Sequence, residues 1–173
     1  MNKEFDNNAQ KGTALEVLAN LLFNCCKGIK ATPKIKTVTN QIDCSVRNDF
    51  KLKSTVYEEF NSFIYGECKN EKSIPGNEYF YKILGNINRS KSRDERGFGI
   101  LFSRKKAAKT WKELSRDAFV MHNSLIINFS DEDFKLIKEG ANFLTLIQEK
   151  IQTIKNSIST DPKVHELYRD KKK

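Results

Sequence analysis

Two short apolar runs, GFGILFS (Gly97 to Ser103) and NSLIINF (Asn123 to Phe129), constrain this chain more than any other feature. Each is bounded by glycine, serine, asparagine or charge, and each reads as a buried strand. The segment between them, RKKAAKTWKELSRDAFVM, has the pattern of a basic amphipathic helix. Before the first run, NEYFYKILGNINRSKSR reads as a helix with Phe80, Ile83, Leu84 and Ile87 on one face. After the second, SDEDFKLIKEG opens with Ser130 as N-cap and ends at Gly140 as C-cap, and ANFLTLIQEKIQTIKNSI is a last long helix. Strands alternating with helices predict an α/β fold, a mixed sheet covered by helices on both faces.

The first half of the chain completes the pattern. GTALEVLANLLFNCC reads as a helix with Leu15, Leu18, Leu22 and Cys25 at three- and four-residue steps, and Thr13 and Glu16 are spaced as a capping box at its start. KGIKATPKIKTVTN, with Gly28 and Pro33, reads as a basic connection. NQIDCSVR is a half-buried strand, with Ile42, Cys44 and Val46 alternating with Asp43 and Ser45. NDFKLKSTVYEEFNS fits either an amphipathic helix or a strand plus loop. In SFIYGECKN, Ile64, Gly66 and Cys68 fall on one face and Phe63, Tyr65, Glu67 and Lys69 on the other. The 173 residues suit one domain, expected over 12–158, with a polar arm at 1–11 and a charged tail at 159–173.

Charge and cysteine usage narrow the function classes. Lys plus Arg number 31 against 22 Asp plus Glu, a formal net charge of +9, which favours a polyanionic partner, nucleic acid first. No run reaches the ~18 apolar residues of a membrane span, and the polar start MNKEFDNNAQKG is not a signal peptide, so the expectation is a cytoplasmic protein with no membrane partner. Cys25, Cys26, Cys44 and Cys68 lack paired C-x-x-C spacing and the histidines are His122 and His165, which argues against structural zinc and for reduced core thiols. Neither phosphate-loop pattern is present, since Gly97-Phe98-Gly99 has no third glycine. No histidine is near Ser103 in sequence, so no hydrolase triad is indicated.

The chemistry concentrates on Glu67-Cys68-Lys69, with Asp43 on a strand 24 positions earlier and Glu16 on the first helix. Two carboxylates from neighbouring strands can converge on one divalent cation, and Mg²⁺ accepts a few carboxylate oxygens plus waters. Lys69, two residues beyond Glu67 on the same face, places an ammonium where it can orient an attacking water and offset charge in the transition state. Lysine suits this better than arginine because its pKa is more readily lowered by burial. The alternative is a solvated edge strand with alternating charges. Glu16 likewise has two readings, the cap of its own helix or an assistant to the metal. Lys82, Asn86, Arg89, Lys91 and Arg93 follow on or just after a helix and form a candidate phosphate-gripping ridge, or else a solvated face. Arg104, Lys105, Lys106, Lys109 and Lys112 divide in the same way, with Trp111 expected to pack rather than stack on a base.

This order of acids, strands and helices resembles the PD-(D/E)XK nuclease superfamily, over Lys11 to about Asn156, and within it the branch of type IV restriction and Holliday-junction-type nucleases. Asp43 and Glu67-Cys68-Lys69 match its motif, Glu16 its first-helix acid, and Ile42 stands where the motif's name has proline, at a variable position. The resemblance implies a restriction-endonuclease-like fold and a Mg²⁺-dependent endonuclease, with Mn²⁺ as a substitute. It further implies Asp43, Glu67 and the Cys68 carbonyl as metal ligands, Lys69 as catalytic lysine and Glu16 in support. The expected reaction is in-line attack of a metal-activated water on DNA, with restriction or defence against foreign DNA as the role. Specificity then comes from a homodimer, a partner protein or an activator, or else the protein cuts with little sequence preference. An RNA nuclease using the same site and a non-catalytic nucleic-acid-binding or interaction module remain the alternatives.

Overall fold

The computed structural model describes residues 8–26, 28–36, 41–48, 63–92 and 95–159. In chain order the elements are α1 (Asn8–Asn24), β1 (Ile29–Lys36), β2 (Gln41–Asn48), β3 (Phe63–Lys69), α2 (Asn77–Ser90), β4 (Gly97–Ser103), α3 (Thr110–His122), β5 (Ser124–Phe129), α4 (Asp131–Lys138) and α5 (Phe143–Ser159). The strands form one sheet in the order β1-β2-β3-β4-β5. The β1/β2 and β2/β3 pairs are antiparallel, whereas β3/β4 and β4/β5 are parallel. This is the mixed α/β sheet the pattern predicts, in keeping with a restriction-endonuclease-like arrangement. Among the described residues no helix is long and apolar enough to cross a membrane.

Each sheet face has its own core, so helices cover both. On one face Ala19 and Phe23 of α1 and Phe143, Ile147 and Ile151 of α5 pack over Cys44, Val46, Ile64, Phe98, Ile100 and Ile127. On the other, Phe80, Ile83 and Ile87 of α2 and Trp111 and Ala118 of α3 pack over Leu101 and Ile126, with Tyr65 against them. Strands β4 and β5 bury residues on both faces, which explains their unbroken apolar runs. Trp111 is buried edge-on against Phe80, as expected for a packing residue.

Three glycines set close approaches. A Cβ on Gly97 would lie 2.0 Å from Ile87 Cγ2, and one on Gly99 2.2 Å from Ile83 Cγ2, so the Gly-Phe-Gly run lets α2 lie directly on β4. A Cβ on Gly66 would lie 2.7 Å from the Cβ of Cys44, which brings β2 and β3 together just before Glu67.

Several local expectations are corrected. The first helix begins at Asn8, inside the expected polar arm, so Thr13 is mid-helix and does not cap it. Gln10 and Lys11 are good helix formers, and packing at Ala19 and Phe23 anchors the whole segment. The expected basic connection contains strand β1, at the edge of the sheet, where Pro33 is tolerated because no partner is needed on its outer side. Helix α3 starts only at Thr110, leaving residues 104–109 as a loop. The ambiguous segment at 49–62 lies outside the described residues. At Ser130 the expected N-cap is present: Asp133 accepts from the Ser130 backbone N–H at 2.7 Å and pairs with Lys150 of α5 at 2.8 Å.

Candidate metal and phosphate site

The β2/β3 ladder runs from Arg47 opposite Phe63 to Cys44 opposite Gly66, and one step further brings Asp43 opposite Glu67. There the strands part. Instead of continuing the ladder, the Cys68 backbone N–H donates to Asp43 Oδ2 at 3.0 Å, and Gln41 Nε2 donates to Oδ1 at 3.1 Å. On the other side of β2, the ladder to β1 pairs Pro33 with Cys44 and Ile35 with Ile42 and skips Lys34, which has a left-handed backbone (φ 48°). Asp43 thus occupies a gap in backbone pairing on both sides, a place where a carboxylate can approach a ligand.

Opposed residues in a sheet share a face, so Asp43 and Glu67 both project towards α2. Both are buried, 6% and 2% exposed respectively. A carboxylate this deep requires charged partners or hydrogen-bond donors. Glu67 has two: Lys69 at 3.1 Å from Oε1, and Lys82 of α2 at 2.8 Å from Oε1 and 2.7 Å from Oε2. Lys69 also lies over the Tyr79 ring, 4.9 Å from its centroid. The Tyr79 hydroxyl donates to Glu71 at 2.5 Å, and that bond, with a smaller effect of burial and nearby acids, pushes its pKa up to about 12.

Burial pulls the Lys69 pKa down, but the attraction and hydrogen bond of Glu67, helped by Asp43 and Glu71, raise it overall. The surroundings of Lys69 thus favour its ammonium form. Cys68 turns its thiol to the opposite face, into the core beneath α1. Burial, followed by the charges of Asp43, Cys44, Glu16 and Glu67, raises that thiol's pKa far above the ordinary range, so only the Cys68 backbone faces the question of metal binding.

Of the other expected site residues, Glu16 stands on α1 and pairs with Lys34 of β1 at 3.0 Å. From α1 its charge reaches the Cys68 thiol. The ridge residues separate. Lys82 turns into the site. Asn86 is buried and accepts from Arg89 at 2.9 Å. Lys91 donates to the carbonyls of His122 and Asn123 at the end of α3. Arg93 lies outside the described residues.

The other basic cluster is placed beside the site. The Arg104 N–H donates to the Lys69 carbonyl at 3.2 Å, so the 104–109 loop starts where Lys69 ends, at the carboxyl ends of the parallel strands β3 and β4. Open α/β sheets bind ligands at such ends. Asn128 pins the loop: its Nδ2 donates to Ser103 Oγ at 2.6 Å, and its Oδ1 accepts from the Ala107 N–H at 2.8 Å. Arg104, Lys105, Lys106, Lys109 and Lys112 are all exposed. The sequence reading missed Tyr79 and Asn128; the only signal for Asn128 was a polar residue interrupting an apolar strand.

Two buried carboxylates suit Mg²⁺, which takes one or two protein carboxylates and fills its octahedron with water or phosphate. Among the described residues no group of three or more His, Cys, Asp or Glu gathers around one point. Asp43 and Glu67 are thus at most a partial donor set, one that water or phosphate oxygens would have to complete around an ion. Comparison with family models, curated proteins and solved structures finds no match to this chain.

Proposed function

We propose that the protein is a Mg²⁺-dependent nuclease hydrolysing phosphodiester bonds, with DNA as the substrate. The observation that carries the reading is the Asp43–Glu67 pair, buried at the opening of β2 from β3, with Lys69 attached to it. Asp43, Glu67 and the Cys68 carbonyl are the groups that would hold the ion. Bound there, Mg²⁺ supplies Lewis acidity, polarising a phosphate oxygen and making a water easier to deprotonate. Lys69 offsets negative charge developing on the phosphate, a role that needs the ammonium form its surroundings favour. The 104–109 loop and Lys112 neutralise neighbouring phosphates and give binding that falls with salt. A role in restricting foreign DNA, and a homodimer placing two sites on a duplex, follow from the resemblance and from symmetry.

A second reading, a nucleic-acid-binding module without cleavage, draws on the completeness of the polar set. Glu67 has two ammonium partners and Asp43 two N–H donors, so the site is internally satisfied without an ion. The deciding experiment incubates the purified protein with supercoiled plasmid and with single-stranded RNA, in Mg²⁺, Mn²⁺ or EDTA, beside Lys69→Ala. The expected result is plasmid nicking that requires metal and falls by about 10²-fold or more in the variant, the loss typical of removing one transition-state charge partner. Cleavage of RNA alone would reassign the substrate. Salt-sensitive binding equal in both proteins, with no cleavage under any metal, would replace the nuclease reading with the binding module.

A further inference from the structure

We propose that Lys82 is the resident counter-ion of Glu67 and that a divalent cation enters the site by exchange with it. The inference rests on the metal-site reading above and adds a residue outside the expected ligand and catalytic set. Lys82 touches both Glu67 oxygens, at 2.8 and 2.7 Å, whereas Lys69 contacts Oε1 at 3.1 Å. A carboxylate that is 2% exposed cannot be left uncompensated, and while Lys69 contacts Oε1, it is Lys82 that contacts Oε2 in the absence of metal. Lys82 meets that need from α2, an element that contributes none of Asp43, Glu67 or Cys68. Its departure leaves the β2–β3 frame of the site intact.

The lysine is also built to leave. Its side chain is 27% exposed, and a long alkyl stem can carry the ammonium to water while staying packed. An ion bound to Glu67 needs an oxygen that Lys82 holds, and two cations at the same oxygens repel, so ion and ammonium compete. Lys69 has less reason to move, being held by the Tyr79 ring as well as by Glu67. The exchange makes metal affinity a property of the helix lysine as much as of the strand carboxylates, and it keeps the metal-free site neutral and folded.

Mn²⁺ is the probe, with its free concentration read by electron paramagnetic resonance. Wild-type protein is compared with Lys82→Met, Lys82→Arg and Glu67→Gln. The expected result is binding abolished by Glu67→Gln and tightened roughly tenfold or more in Lys82→Met, the scale of losing one close competing charge. Lys82→Arg keeps the charge and can fork onto both oxygens, so it binds at the wild-type level or more weakly. A measurement on the wild-type chain does not depend on any variant folding: acylation of Lys82 by an amine reagent, followed by peptide mass spectrometry, should rise on adding Mn²⁺. If wild-type protein binds Mn²⁺ through Glu67 while Lys82→Met binds no tighter, or Lys82 acylation is unchanged by the ion, the exchange is overturned and the metal site stands. If no protein in the set binds Mn²⁺, the exchange and the metal reading fall together.

Discussion

At Lys69 burial and charge pull in opposite directions, and charge wins. The consequence can be read in pH dependence. A lysine whose folded pKa lies above its unfolded value contributes stability that is fully present below the unfolded value, about 10.4, and is lost as pH rises through the folded one. The melting temperatures of wild type and Lys69→Met are therefore expected to differ by a constant amount from pH 7 to about 9.5, with the gap closing only above about 10.4. A gap that closed between pH 7 and 9 would mean that burial dominates and that Lys69 is available as a base. The shared face of Glu67 and Lys69 was legible from their two-residue spacing. The second ammonium was not, because Lys82 lies 15 positions away on another element and only the packing of α2 brings it back.

Helix α2 is held against β4 by contacts that permit no Cβ. Gly99 faces Ile83, the residue after Lys82, so the glycine sets the height of the helix over the sheet and with it the reach of Lys82 to Glu67. Gly99→Ala is expected to cost about 1–3 kcal/mol in chemical denaturation, the usual scale of overpacking. It is also expected to weaken the Lys82–Glu67 contact, so any metal-dependent activity changes together with stability. Unchanged denaturation would show that α2 can shift freely and that its position is not fixed by the glycines. The Gly-x-Gly pair lacks the third glycine of a phosphate loop, and its work is steric, which only the packing of α2 on β4 reveals. The basic loop before α3 is a comparable case: helical charge patterning continued back to Arg104, but Asn128 draws the Ala107 N–H away from a helical start.

Across the whole molecule, the sheet separates two environments: an apolar side under α1 and α5 that receives Cys44 and Cys68, and a side under α2 where the charges of Asp43, Glu67, Lys69 and Lys82 cancel. Burial, with the nearby Asp43 charge, pushes the Cys44 thiol up to about 12 and raises Cys68 further, while burial and Cys25 push half-buried Cys26 up to about 11. A disulfide reagent at neutral pH is expected to modify exposed Cys25 rapidly, Cys26 slowly, and Cys44 and Cys68 only on unfolding. Rapid reaction of Cys68 in the native protein would place its strand elsewhere than in the core. The sequence by itself determined the α/β class, the two buried strands, the last helix and the shared face of Glu67 and Lys69, because period and apolar run length are properties of neighbouring residues. Only the tertiary structure decided that Asp43 fills a gap in the ladder, that Glu16 pairs across to β1 instead of capping its helix, that Lys82 and Tyr79 complete the charge set, and that the 104–109 loop borders it. Each of those contacts joins residues on different elements, and their meeting depends on strand register and on how closely a helix packs, neither of which local spacing encodes.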